Sequence, residues 1–169
     1  ARAGAEKPGT AHAAAALATA ARLGLEAGEP EEWRRIASLM YIPRGERERG
    51  DDPLIFEQHE GYFDLPHVDP DAIPAGDFPL YHHWSYDRIY RNDMIKQPDV
   101  LMFMLLYDGS FSREEKLANY DFYEPRCIHE SSLSPSVHSI LAAELGKDAE
   151  ACEFFKFATR IDLDDYNRN

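Results

Sequence analysis

Basic residues and long apolar runs are scarce in this chain of 169 residues, and each scarcity excludes a class of protein. Lys and Arg number 18 against 31 Asp and Glu, so the net charge of −13 repels nucleic acid and other polyanions. The longest apolar run, Val100 to Tyr107, is far shorter than the roughly 20 residues needed to span a bilayer. The sequence therefore predicts a soluble protein that binds neither nucleic acid nor membrane.

Cysteine is equally sparse, because only Cys127 and Cys152 occur and neither has metal-ligand or redox spacing. This pattern favours free thiols in a reducing compartment. The Ala-rich segment Ala11–Ala21 lacks a cleavage-site pattern, and it predicts a helix rather than a signal peptide. We therefore expect a cytoplasmic protein.

Motifs for metals, cofactors and nucleophilic catalysis are absent from the sequence. There is no Gly-rich phosphate loop and no nucleophile elbow. Several histidines occur without an HExxH motif or an i, i+4 pair on a helix. They are His59, His67, His82, His83 and His129. The sequence predicts no metal site and no cofactor.

What the chain has is an ordinary hydrophobic core and many helix signals. At 44% hydrophobic and 12% aromatic it can form one core, and no alternating strand pattern of any length occurs. The pattern predicts an all-α fold of antiparallel helix pairs with long loops. The predicted helices are Thr10–Ala27, Pro30–Tyr41, Pro98–Tyr107, Ser112–Tyr123, Pro135–Leu145 and Asp148–Arg160.

Capping signals sharpen three of these helices. Ser112 and Glu115 predict a capping box, Gly146 is the expected C′ residue of the preceding helix, and Asp148 is the expected cap of the last one. The helix from Pro98 is hydrophobic nearly all round, so we expect it to be buried on most sides.

The segment Tyr123–Ser139 groups anion-binding side chains just before a helix start. Ser134 and Pro135 predict an N-cap and a first helical residue, which would direct free N–H groups and the positive end of the helix dipole at a ligand. Beside them stand further candidate ligands, namely Arg126, His129, Ser131 and Ser132. The segment indicates an anion site, with phosphate as the first choice. Alternatively, the serines only satisfy backbone groups of a turn.

Two other groups of residues suit a sugar. Lys96 and Gln97 precede the apolar helix, and their donors and acceptor suit sugar hydroxyls or an anion, although Lys96 also fits a solvated loop. Trp84, with Tyr86 and Tyr90, could form a platform for a sugar ring or belong to the core.

Three long motifs resemble the family 65 glycoside hydrolases, which include the maltose, trehalose, kojibiose and nigerose phosphorylases. They are KQPDVLMFMLLY, FSREEKLANYDFYEPRCIHESSLSPSVHSILAAELG and TRIDLDDYNRN. The resemblance spans roughly Pro30 to Asn169. It implies that residues 1–169 form about half of one (α/α)6-barrel catalytic domain, without the β domains that flank it in the family.

The resemblance also implies a reaction. Family members cleave an α-glucosidic disaccharide with inorganic phosphate, invert the anomeric carbon and release β-glucose 1-phosphate. Lys96 and Gln97 match the pair that touches the glucosyl unit. Trp84, chosen for its aromatic ring and not from the resemblance, is a further expected sugar contact. His129, Ser131, Ser132 and Ser134 match the segment beside the phosphate site. We expect disaccharide and phosphate as the small-molecule partners, and a homodimer for the full-length protein.

Two departures from the family pattern limit what the chain alone is expected to do. The family's general acid is a glutamate in a GPDEY-like segment, and a second phosphate-contacting histidine lies in a GLHxxS-like segment, neither of which occurs here. We therefore predict no catalytic residue within the chain and no turnover by residues 1–169 alone. The alternatives are an α-glucoside hydrolase on the same scaffold and a non-catalytic helical binding module.

Overall fold

A computed structural model of the chain describes residues 19, 22–24, 28–46, 52–161, 163 and 164. It divides into two units, residues 1–42 and 43–169. Regular structure within the described residues is helical, and strand-like pairing there is limited to two isolated bridges. The predicted all-α class is confirmed. The predicted helix Thr10–Ala27 lies mostly outside the described residues, so its predicted pairing with the helix Pro30–Tyr41 does too.

The first unit contributes helix α1, Glu29–Leu39, which carries Pro30 in its first turn as the sequence predicts. Gly28 precedes it with φ of 107°, a conformation that glycine adopts without the strain of a Cβ. The helix ends at Leu39 rather than Tyr41, because the backbone becomes extended at Met40.

The second unit starts with a long irregular stretch and two short helices. Its turns are the 3₁₀ segments Tyr62–Asp64, Pro70–Ala72 and Ala75–Asp77. The aromatic stretch that follows forms helices α2, Leu80–His83, and α3, Tyr86–Tyr90, which periodicity did not predict because each is only about one turn long.

Four longer helices complete the second unit. They are α4, Asp99–Leu106; α5, Arg113–Tyr123; α6, Ser134–Leu145; and α7, Asp148–Arg160. Each lies within a residue or two of its predicted bounds. The predicted cap of α7 is wrong, because Asp148 is already helical and Lys147 stands before it without a side-chain capping bond.

The core lies where α4, α5 and α6 meet. Leu101 and Met104 of α4 are fully buried, and Tyr120 and Tyr123 of α5 lie in the same cluster as Leu141 of α6. The expectation that α4 is buried on most sides is wrong, since its residues Phe103 and Leu106 are exposed. Its uniform hydrophobicity therefore did not reveal which face packs against the core.

Helices α6 and α7 are joined by a tight connection, and α6 is capped at its C-terminus. Gly146 has φ of 79°, and Lys147 donates its N–H to the carbonyl of Ala142 at 2.8 Å, so the turn has a Schellman-type cap. The guanidinium of Arg113 donates to the carbonyls of Glu144 and Leu145. A cation at this end also complements the helix dipole.

Replacing Ser112 with alanine is expected to lower the free energy of unfolding by about 1 kcal/mol. The predicted capping box is present: the Ser112 hydroxyl accepts from the Glu115 N–H at 3.1 Å, and the Glu115 carboxylate accepts from the Ser112 N–H at 3.0 Å. Urea unfolding checks this value. Ser38→Ala on the exposed side of α1 is the control, and an equal effect of both substitutions would contradict the capping role.

Candidate functional site

Backbone pairing joins the two segments in which the sequence places the site. Ile95 and Cys127 form an isolated parallel bridge. The Ile95 N–H donates to the Arg126 carbonyl at 2.9 Å, and the Ile128 N–H donates to the Ile95 carbonyl at 2.9 Å. The bridge places the Lys96–Gln97 pair beside the segment that begins at His129. Sequence spacing gave no sign of this pairing.

A side-chain hydrogen bond continues the contact between the segments. The Ser131 hydroxyl donates to the Gln97 amide oxygen at 3.1 Å. Ser131 is buried and Gln97 is half-buried. Because Ser131 engages the amide oxygen, the amide nitrogen of Gln97 keeps its hydrogens for another acceptor.

Lys96 presents its charge at the surface beside this contact. Its Nζ lies 5.2 Å from the ring centroid of Tyr81 in a cation–π arrangement. Among the described residues no carboxylate lies within ion-pair distance of it. An exposed lysine with only an aromatic neighbour can bind an anion or a sugar hydroxyl.

The start of α6 differs by one residue from the prediction. The helix begins at Ser134, and Leu133 occupies the N-cap position without a side-chain capping bond. Pro135 lies in the first turn, as expected. The predicted N-cap role of Ser134 is wrong because its hydroxyl points to neighbouring side chains instead of a backbone N–H of the first turn.

Ser134 is the fully buried centre of a polar cluster. Its Oγ lies 2.7 Å from His129 Nδ1, 3.2 Å from Cys127 Sγ and 3.4 Å from His138 Nδ1. Ser132, two residues earlier, is exposed. The two serines therefore occupy distinct environments: Ser132 faces solvent, whereas Ser134 is buried and contacts the side chains of the cluster.

His129 is held in an unusual conformation and stays neutral. Its φ is 52°, in the left-handed region that few side chains adopt. Burial, together with the smaller effect of the neighbouring His138 imidazole, lowers the pKa of His129 to about 3. At neutral pH this imidazole offers hydrogen bonds and carries no positive charge.

Arg126 does not join the serines. Its Nε donates to Asp93 Oδ2 at 2.9 Å and its Nη1 donates to the Phe122 carbonyl at 2.6 Å. The ion pair is largely buried, and His67 Nδ1 lies 2.8 Å from the same carboxylate oxygen. Asp93 therefore neutralises the charge that the sequence placed in the anion segment.

Of the aromatic residues before the site, Trp84 is half-buried and Tyr86 and Tyr90 are exposed, and none of the three belongs to the core cluster. The Trp84 indole donates to Asp77 Oδ2 at 3.1 Å, and the Arg88 guanidinium lies 3.4 Å from its ring centroid. The rings of Tyr86 and Tyr90 contact each other in a tilted arrangement, 4.4 Å between centroids, and the two residues are 76% and 62% exposed. Arg88 covers one face of the indole.

A groove of about 960 Å³ borders the His129 end of the site. Its walls include His82, His83 and Glu130, and the segment from Cys127 to Glu130 forms one side. A smaller cavity of about 240 Å³ lies around Tyr62 and Asp93, and Arg126 is the one candidate of the anion segment that lines it. The larger groove has the volume typical of small-molecule sites.

Three side chains of the cluster could hold a metal, although no spacing signal in the sequence marked them. The Cys127 sulfur and one nitrogen each of His129 and His138 lie within 4.8 Å of one another. His138 follows Ser134 by one helical turn, so a shared helix face was the available clue. The position of Cys127 depends on its bridge to Ile95, and nothing in the sequence indicated that bridge.

Ser134→Ala is expected to lower the free energy of unfolding by about 1–3 kcal/mol, because it leaves buried partners of the hydroxyl without a hydrogen bond. Ser132→Ala is the matched control, since Ser132 is exposed and lies two positions earlier. Urea unfolding of the two variants gives the comparison. Equal stabilities would show that the buried hydroxyl does not hold the cluster.

The second unit is all-α in its described residues, and polar segments stand directly before α4 and α6. Comparison with known proteins identifies the family. Residues 7–169 match the family described as glycosyl hydrolase family 65 central catalytic domain. The chain belongs to this family, which confirms the resemblance.

Characterised relatives cover most of the chain. It is 44% identical over 147 residues to maltose phosphorylase of Bacillus subtilis, a match of 87% of this chain and 19% of that protein. It is 41% identical over 150 residues to α,α-trehalose phosphorylase of Thermoanaerobacter brockii, with 89% and 19% covered. The chain thus spans about a fifth of the length of these relatives.

A solved structure agrees with the fold. It is of a human-microbiome protein proposed to be a kojibiose phosphorylase, with a TM-score of 0.75 and 51% identity. The match covers 89% of this chain and 19% of that one. No helix in the described part of the chain is long and apolar enough to cross a membrane.

Proposed function

We propose that the whole protein containing this chain is an inverting disaccharide phosphorylase. It would use inorganic phosphate to cleave an α-glucoside and release β-glucose 1-phosphate and a sugar. The supporting observation is the Ser131–Gln97 hydrogen bond of 3.1 Å, because it joins the segment proposed for phosphate to the one proposed for glucose. The named relatives are phosphorylases for maltose and trehalose.

The proposed roles follow the exposure and charge of each residue. Lys96 and Gln97 bind the glucosyl unit, because the ammonium and the free amide hydrogens are available to sugar hydroxyls. Trp84 is assigned as a ring contact to the sugar, on the indole face opposite Arg88. These groups orient the anomeric carbon of the bound glucosyl unit.

Phosphate is assigned to the other segment. The exposed Ser132 and the Ser131 hydroxyl would contact it, aided by the N-terminus of α6. His129 and Ser134 complete this set, with the neutral imidazole of His129 donating a hydrogen bond and the Ser134 hydroxyl fixing that ring. Lys96 is then the nearby cation, since Arg126 is neutralised by Asp93.

Phosphate also explains why one carboxylate suffices. An inverting hydrolase needs a carboxylic acid for the leaving oxygen and a carboxylate that activates water. Phosphate is already a competent nucleophile, so an anion pocket can replace the second carboxylate. The general acid is assigned outside the residues of this chain, and no cofactor is required. The experiment therefore uses the whole protein. We also propose that the whole protein is a homodimer, and light scattering measures its mass in solution.

Incubation of the whole protein with phosphate and maltose, trehalose, kojibiose or nigerose tests the proposal. We expect glucose 1-phosphate from one of these sugars, with the β anomer identified by proton NMR. Free glucose formed at an equal rate without phosphate would instead establish a hydrolase. No product from any sugar would favour a non-catalytic helical module and reject the proposal.

A further inference from the structure

We propose that Cys127, His129 and His138 form a binding site for a thiophilic divalent cation such as Zn²⁺. Sulfur and imidazole nitrogen are the ligands that zinc prefers. The three donors come from two parts of the second unit: Cys127 and His129 from the bridged loop, and His138 from the second turn of α6. Their ligand atoms lie within 4.8 Å of one another.

An unpartnered nitrogen points to a missing ligand. His138 Nδ1 lies 2.9 Å from the Ser134 carbonyl, which only accepts, so Nδ1 carries the proton and Nε2 carries the lone pair. Nε2 is fully buried, and no hydrogen-bond partner for it is found among the described residues. A buried acceptor without a partner costs about 1–3 kcal/mol, whereas a metal–nitrogen bond would satisfy it.

Ser134 holds the donors near the required spacing. Its Oγ lies 3.2 Å from the Cys127 sulfur, 2.7 Å from Nδ1 of His129 and 3.4 Å from Nδ1 of His138, so the hydroxyl must move aside when a cation enters. Zinc bonds of about 2.0–2.3 Å place ligands closer together than 4.8 Å. The site must contract on binding, so its affinity is expected to be lower than that of a structural zinc site.

The surroundings of the cluster are poor in water and include an acidic residue. Phe154 packs against both imidazoles, at 5.0 Å between ring centroids in each case, which limits the access of water. Tyr120 connects the cluster to an acidic residue, because its hydroxyl donates to Glu150 at 3.2 Å. Binding breaks the S–H bond of Cys127, its electron pair forms the bond to the metal, and the proton leaves to the buffer.

Anaerobic titration of the metal-free whole protein with Co²⁺ tests this site without reference to activity. We expect a thiolate-to-cobalt charge-transfer band in the near ultraviolet, which Zn²⁺ then displaces. Cys127→Ser should abolish the band, and His138→Gln should weaken Co²⁺ binding by about tenfold or more. Cys152→Ser is the matched control, because this exposed thiol lies outside the cluster.

Two outcomes would overturn the proposal. One is the absence of a thiolate band in the unmodified protein. The other is a band that survives Cys127→Ser and is lost in Cys152→Ser, which would place the metal at the surface. If Cys127→Ser fails to give the circular dichroism spectrum of the folded protein, Cys127→Ala replaces it, and retention of the band there is equally decisive against the site.

Discussion

Lys96→Ala is expected to lower kcat/KM for the disaccharide by about 100-fold in the whole protein. The proposed contact is a hydrogen bond from a charged group, and losing such a bond costs about 1.5–3 kcal/mol, which corresponds to about 10- to 100-fold in rate. The larger value is expected here because Lys96 is the cation left beside the proposed phosphate, once Asp93 neutralises Arg126.

The production of glucose 1-phosphate from the disaccharide and phosphate measures this effect. Lys156→Ala is the control, since Lys156 pairs with Glu153 on the exposed side of α7. Lys96→Arg should recover little activity, because a planar guanidinium does not replace a compact ammonium. Unchanged kinetics in Lys96→Ala would remove this residue from the site.

Asn119→Leu should lower the free energy of unfolding by about 3 kcal/mol. Asn119 is fully buried on α5, and it ties the loop before the 3₁₀ segments to this helix. Its Oδ1 accepts from the Phe56 N–H at 2.9 Å, and its Nδ2 donates to the Leu54 carbonyl at 2.8 Å and the Glu115 carbonyl at 2.7 Å. Leucine leaves buried backbone groups unsatisfied, at about 1–3 kcal/mol each.

The midpoint of urea unfolding measures the loss of stability in Asn119→Leu. One common slope of the free energy against urea concentration is used for the unmodified protein and its variants. Glu114→Ala is the control, because Glu114 is exposed on the first turn of the same helix. If both variants unfold at the same urea concentration, the Asn119 amide does not anchor the loop.

The sequence predicted those parts of the fold that depend on neighbouring residues. The capping box of Ser112 and Glu115 and the glycine at position 146 act within one helical turn, so their pattern is visible in the sequence. The N-cap of α6 was misplaced by one residue because Ser134 has competing partners from outside its own turn.

The parts of the site that depend on distant residues were less visible. The resemblance marked Lys96, Gln97 and Ser131, but their contact results from a bridge between two segments that are far apart in the sequence. Arg126 pairs with Asp93 and is therefore not available to the anion site, and nothing in the sequence distinguishes Asp93 from the many other acidic residues. Charge counting therefore identified candidate residues without revealing which of them are neutralised.

The Ile95–Cys127 bridge makes the spacing of the two proposed substrates a property of the main chain. Both flanking hydrogen bonds measure 2.9 Å, and neither involves a side chain. In a displacement at the anomeric carbon, the nucleophile must approach in line and at close range. A substitution at one of the ligand-binding side chains would then weaken the binding of one reactant and leave the other in position. We therefore expect such variants to lose affinity before they lose inversion at the anomeric carbon.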